Sequence, residues 1–201
     1  MLLLLTDIWG INESVQVLSD AFNKVNVPHI VLSPYDDFPV FEDEAQAYAH
    51  FKEQGGVQSF QTKVESALEQ YNDVQINILG FSAGGSVAWR LAAQHLNIAH
   101  CICFYPGQIR HDLALIPNNP VDIIFPKSES HFELAPVINS LSKTINTRVI
   151  NTPYSHGFAN AQTSNYDPIQ FGILKNLIED SISFDIESFA NHYLKSNLIS
   201  S

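Results

Sequence analysis

Basic residues are scarce in this chain of 201 residues. Ten Lys and Arg stand against 21 Asp and Glu, and the only arginines are Arg90, Arg110 and Arg148. A formal charge of −11 repels phosphate backbones and argues against nucleic-acid binding. It also disfavours a strongly anionic substrate unless a local basic pocket exists. Charged residues total 15% and hydrophobic ones 45%, which excludes a disordered chain. There are two cysteines, Cys101 and Cys103, in "AHCICFYP". Two apart on a strand they share a face, which does not favour a disulfide, and they are too few for a structural zinc site. They read as small buried hydrophobes in a reducing compartment, so a cytoplasmic protein is expected. Long apolar runs are also missing. No segment is long enough to span a membrane, and "MLLLLTDIWG" lacks the basic start and longer apolar stretch of a secretion signal. It reads as a buried strand beginning near Leu2. No repeat, low-complexity block or linker divides the chain, so one domain over 1–201 is expected.

Short apolar runs do recur, at Leu2–Thr6, His29–Leu32, Gln75–Leu79, Ala99–Tyr105, Val121–Phe125 and Thr147–Asn151. Several are nearly continuous, as in strands covered on both faces. Helical patterns separate and follow them: Asn12 to Val25, Glu42 to Gln54, Val57 to Tyr71, Ser86 to Leu96, Glu133 to Lys143, Pro168 to Ile182 and Asp185 to Leu198. This alternation predicts an α/β fold of three layers, with about six mainly parallel strands in the order 2-1-3-4-5-6. Ligands of such sheets bind beyond the carboxyl ends of the strands. Chemistry is therefore sought just after each strand.

Three places stand out there. Gly80-Phe81-Ser82-Ala83-Gly84 is a G-x-S-x-G sequence between a strand and a helix. A serine raised on so tight a turn needs small neighbours two positions away, and the following helix aims its N-terminus at the site. A serine hydroxyl needs a base. Of the eight histidines, His156 follows the last strand in "NTPYSHGFAN" beside Gly157. His131 and His111 also lie in loops. The base needs an acid to hold its tautomer, and Glu129 lies past the end of the fifth strand in "PVDIIFPKSESHF". Asp122, inside that strand, and Asp112, before it, are less well placed. An oxyanion would take the N–H of Ala83 and one from the exit of the first strand, where Ile8 or Trp9 could present it and Gly10 lets the loop turn. Trp9 could also wall the pocket. "TDIWGIN" lacks the G-x-G-x-x-G of a dinucleotide-binding turn.

On these stretches, with "FYPG" after the fourth strand, the sequence resembles the dienelactone hydrolase family of α/β-hydrolases over most of its length. The resemblance implies an α/β-hydrolase fold, with Ser82 at the nucleophile position, Glu129 at the acid, His156 at the base and Ile8 in the oxyanion hole. Asp7 matches an acidic residue that lies near the nucleophile in the family. There are departures. The best-known members carry cysteine as nucleophile and aspartate as acid. Lactone-cleaving members place an arginine shortly after the histidine motif to hold a substrate carboxylate, and here that motif ends in Asn160. The usual N-terminal hairpin is missing. Only Pro34 to Gln54, with Tyr35, Phe38, Phe41 and Tyr48, offers material for a pocket cover.

Together these features point to a serine hydrolase that cleaves a small neutral ester, lactone or thioester through an acyl-enzyme. Trp9, Tyr35, Tyr105 and Asn160 are expected to line a pocket poor in basic groups. No cofactor or metal, no nucleic-acid or membrane partner, and a monomer or homodimer are expected. The alternative is a non-catalytic small-molecule binding or interaction module on the same scaffold.

Overall fold

The computed structural model describes residues 1–181 and 184–198, and side chains through residue 196. Ile182, expected to end a helix, lies outside the described residues. Six strands form one parallel sheet in the order β2-β1-β3-β4-β5-β6. They are β1 (Leu2–Leu5), β2 (His29–Leu32), β3 (Ile76–Phe81), β4 (Ile98–Phe104), β5 (Val121–Phe125) and β6 (Thr147–Asn151). The helices are α1 (Glu13–Lys24), α2 (Glu44–Glu53), α3 (Gly56–Leu68), α4 (Ala83–Gln94), α5 (Leu134–Leu141), α6 (Pro168–Glu179) and α7 (Ile186–Leu198). The chain runs from β1 out to β2 and then returns to β3 on the other side of β1. That reversal opens a crevice at the carboxyl ends of β1 and β3.

β1 shows why the fold has three layers. Successive side chains of a strand point to opposite faces. Leu3 and Leu5 join one apolar cluster with Val64, Val87 and Trp89 of α3 and α4. Leu2 and Leu4 join the other with Leu18 and Phe22 of α1 and Leu174 of α6. All four leucines are almost fully buried, each contributing about 1.5–3 kcal/mol relative to exposure. Cys101 and Cys103 of β4 are both buried and unbridged. α7 adds Ile186, Phe189 and Tyr193 to the second cluster.

Caps set the helix starts. The Asn12 side chain accepts from the Val15 N–H, and Asp167 accepts from Ile169 and Gln170 ahead of α6, with Pro168 in its first turn. The start of α4 differs from the expectation. The helical pattern predicts a start at Ser86, but the helix begins at Ala83 and β3 runs on to Phe81. Strand becomes helix across Ser82 alone, because nothing at Gly80 or Gly84 obstructs the contact. A β-carbon at Gly84 would stand 2.5 Å from the Leu5 carbonyl oxygen, and one at Gly80 would stand 2.5 Å from the Gly84 carbonyl oxygen.

This close approach yields a paired test. Gly84→Ala must push α4 off β1 and should cost about 1–3 kcal/mol of unfolding free energy. Gly172, within α6, has open space around it, with nothing within 4 Å of where a β-carbon would stand, so Gly172→Ala should stabilise by about 0.5–1 kcal/mol. Urea denaturation of both variants measures the contrast.

Candidate active site

Ser82 occupies the turn between β3 and α4 with φ 49° and ψ −106°. A positive φ is costly for a residue with a β-carbon. The fold holds it there by hydrogen bonds on each side. The Ser82 N–H donates to the Phe104 carbonyl at 2.8 Å, and the Gly84 N–H donates to the Thr6 carbonyl at 3.0 Å. Ser86 braces the same turn. Its hydroxyl donates to the Ser82 carbonyl and accepts from the Gln108 N–H. The turn is thereby tied to the exits of both neighbouring strands.

The loops after β5 and β6 bring two further side chains to Ser82. His156 Nε2 lies 3.0 Å from Ser82 Oγ, and His156 Nδ1 lies 2.8 Å from Glu129 Oε1. The Glu129 side chain is 7% exposed. The two loops are joined by the Lys127 N–H donating to the Tyr154 carbonyl. Phe158 is fully buried and anchors the histidine loop against Tyr105 and Tyr154. Neither alternative acid approaches His156. Asp122 pairs with His100 and Arg148, and Asp112 pairs with Arg90.

The β1 exit supplies directed N–H groups. The Asp7 carbonyl accepts from the Thr6 hydroxyl and the Gly10 N–H. The peptide is trans, so the Ile8 N–H points the opposite way. The next peptide is fixed as well. Trp9 donates its N–H to Asp7 Oδ1 at 2.9 Å, and the Ile8 carbonyl accepts from the Tyr35 hydroxyl at 2.6 Å. Trp9 therefore has no free backbone N–H to offer, and Ile8 does. Among the described residues neither the Ile8 nor the Ala83 N–H has an acceptor. Gly10, at φ 72°, permits the turn; a β-carbon there would press on the Tyr35 ring at 3.0 Å.

A cavity of about 730 Å³ opens over these groups. Ser82, Ala83, Ile8, Asp7, Trp9, Glu129 and His156 all reach it. Three residues expected on its wall stand behind it instead. Tyr35 is buried and holds the Ile8 carbonyl. Tyr105 has φ 39°, which turns its ring beneath the imidazole at 5.0 Å between centroids. Asn160 is buried, donating to Asp7 Oδ2 at 2.7 Å and accepting from Gln162 N–H. The pocket is poor in basic groups, as expected, but not without them. Arg110 and His131 both line the cavity. Arg110 sits on a 3₁₀ turn, Gly107–His111, directly after β4, and a loop position just past a strand end was the available clue. The cover comes from α2, whose Ala45, Tyr48 and Phe51 face the cavity. Among the described residues no group of three or more His, Cys, Asp or Glu side chains is arranged to hold a metal ion.

Asp7 carries the main electrostatic tension. Burial pushes its carboxyl up to about 6, although bonds from Asn160 and Trp9 and the proximity of His156 pull the other way; Glu44 adds to the rise. The folded chain therefore holds a proton on Asp7 between about pH 4 and pH 6 that the unfolded chain has released. Stability from this group is highest below pH 4 and falls as pH rises through 6. Asp7→Asn removes that dependence. The unfolding free energy of the variant minus that of the native chain should grow by up to about 3 kcal/mol from pH 4 to pH 7. Denaturant titrations across that range measure it, and a difference independent of pH would contradict the assignment.

The dienelactone hydrolase family model matches residues 2–170. The uncharacterized protein YczH of Bacillus subtilis (strain 168) is 25% identical over 199 residues, spanning 94% of this chain and 97% of that protein. A Klebsiella pneumoniae subsp. pneumoniae structure assigned as a dienelactone hydrolase superposes with a TM-score of 0.65 at 12% identity, covering 84% of this chain and 80% of its own. The dienelactone hydrolase-like promiscuous phosphotriesterase P91 from metagenomic libraries gives 0.62 at 14% identity, covering 89% and 85%. Est1E from Butyrivibrio proteoclasticus gives 0.57 at 11%, covering 89% and 85%. The fold is that of the α/β-hydrolases, and the chain belongs to the dienelactone hydrolase family.

Proposed function

We propose that this hydrolase cleaves a small ester, lactone or thioester through an acyl-enzyme on Ser82. The observation that carries the reading is the unbroken series Ser82 Oγ, His156 and Glu129 at the floor of the cavity. The expected restriction to neutral substrates is dropped, because Arg110 shares that cavity. The buried thiols Cys101 and Cys103 fit a reducing compartment, and the cytoplasm is the proposed location.

The chemistry follows from the donors and acceptors. Glu129 accepts the His156 Nδ1–H, which leaves the Nε2 lone pair facing Ser82. His156 Nε2 takes the hydroxyl proton as Oγ attacks the carbonyl carbon. The developing oxyanion accepts from the Ile8 and Ala83 N–H groups, whose positions are fixed before substrate arrives. The start of α4 adds a favourable dipole. His156 then passes its proton to the departing oxygen or sulfur. Water enters, gives a proton to His156 and attacks the acyl carbon. Collapse of the second intermediate releases the acid and returns the proton to Ser82. The negative charge of Glu129 favours the imidazolium in both halves.

Hydrolysis of 4-nitrophenyl butyrate provides the test. Ser82→Ala should lower kcat by about 10⁴-fold or more, and Glu129→Gln by about 10²- to 10⁴-fold. Circular dichroism should show both variants folded. Folded Ser82→Ala with native activity would overturn the proposal.

A further inference from the structure

Of the three arginines, two are neutralised. Arg90 Nε lies 2.7 Å from Asp112 Oδ2, and Arg148 Nη2 lies 2.9 Å from Asp122 Oδ2. Arg110 is different. Among the described residues no carboxylate comes within 4.0 Å of it, in a chain with 21 acidic residues. One nitrogen, Nη1, donates to the Gly107 carbonyl, and the guanidinium stacks on Phe132 at 4.8 Å from the ring centroid. Such stacking suits a weakly hydrated, planar cation and holds it in one orientation. Its remaining N–H donors have no protein acceptor among the described residues, and the side chain lines the cavity.

Its position is close to the reacting groups. A β-carbon at Gly107 would stand 3.6 Å from His156 Cε1, 3.9 Å from Arg110 Nη1 and 3.9 Å from Glu129 Oε1. All three side chains thus converge on one glycine. The strand order separates the two sides of the cavity. On the β1 and β2 side stand Asp7 and Glu44 with the apolar Trp9, Tyr48 and Phe51. On the β4 and β5 side stands Arg110, with Gln108, His131 and Glu129. An anionic group entering this cavity meets carboxylates and no Lys or Arg on the first side, and a fixed guanidinium on the second, where the Glu129 carboxylate is already bonded to His156.

We propose that Arg110 is a specificity residue that holds an anionic group, a carboxylate or a group of like shape and charge, on the substrate whose carbonyl lies at Ser82. Such a substrate is two-ended, with an anion toward the β4 exit and a neutral, apolar portion toward α2. A planar fork of donors matches a carboxylate, and its partial removal from water strengthens the pairing. The chain's overall acidity does not oppose this, because the recognising field is local. The inference rests on the acyl-enzyme reading.

Two matched pairs of esters test it. One pair varies the acyl side, 4-nitrophenyl hydrogen glutarate against 4-nitrophenyl butyrate. The other varies the leaving group, 4-acetoxybenzoate against phenyl acetate. The readout is the ratio of kcat/KM for the anionic ester to that of its neutral partner. Arg110→Gln should lower this ratio tenfold or more in one pair, and Arg110→Lys should recover part of it because the charge returns without the fork. Added salt should lower the native ratio as well. Ratios unchanged in both pairs, even with all rates reduced, would overturn the proposal and leave Arg110 as a support for the Gly107 turn. Ser82→Ala, assayed alongside, separates the two readings. Full activity in that variant refutes the acyl-enzyme, whereas loss of activity with unchanged Arg110→Gln ratios refutes only the anion site.

Discussion

Where β1, β3 and the first turn of α4 meet, backbone touches backbone. The Gly84 N–H reaches the Thr6 carbonyl across a gap that leaves no space for a β-carbon on Gly80 or Gly84. The rest of the site depends on this contact. It forces the strand-to-helix reversal through one residue, and it sets the Ser82 hydroxyl above the sheet instead of within a helix face. It also brings the β1 exit against the turn, so the Ile8 and Ala83 N–H groups border the same cavity. A strained Ser82 backbone persists because packed strands on both sides over-determine it.

The surrounding loops serve the same geometry by cross-bracing. Tyr35 fixes the Ile8 carbonyl, Asp7 takes the Trp9 N–H, and Asn160 links Asp7 to the loop that carries His156. The β1 and β6 exits, far apart in sequence, are therefore one hydrogen-bonded unit. Ser86 extends the bracing to Gln108 and so to the turn that bears Arg110. The elements that brace Ser82 and His156 also position Arg110. A buried carboxyl at Asp7 is the energetic cost of that linkage.

Much of this was legible in the sequence, for identifiable reasons. Continuous apolar runs mark strands buried on both faces and gave the β5 and β6 limits, and their alternation with helical patterns gave the sheet order. The glycine spacing around Ser82 reports a close approach that few other turns require. Loop positions of Glu129 and His156 follow from strand ends, which is why their adjacency to Ser82 could be anticipated. Side-chain direction at a strand end was not legible. Tyr105 turns beneath His156 because of a positive φ that no propensity predicts. Asn160 and Tyr35 face inward because Asp7 and Ile8 offer partners that only the folded chain assembles. Arg110 needed knowledge of where every carboxylate lies, since its meaning comes from lacking one.

The central claim is that Ser82 is the one activated nucleophile. It is tested most directly by treating the native chain with a fluorophosphonate and measuring intact mass, followed by peptide mapping. The account predicts a single phosphonyl adduct per chain, on Ser82, that does not form when the chain is first unfolded in urea. No adduct on the folded chain, or an adduct on another serine, would contradict it.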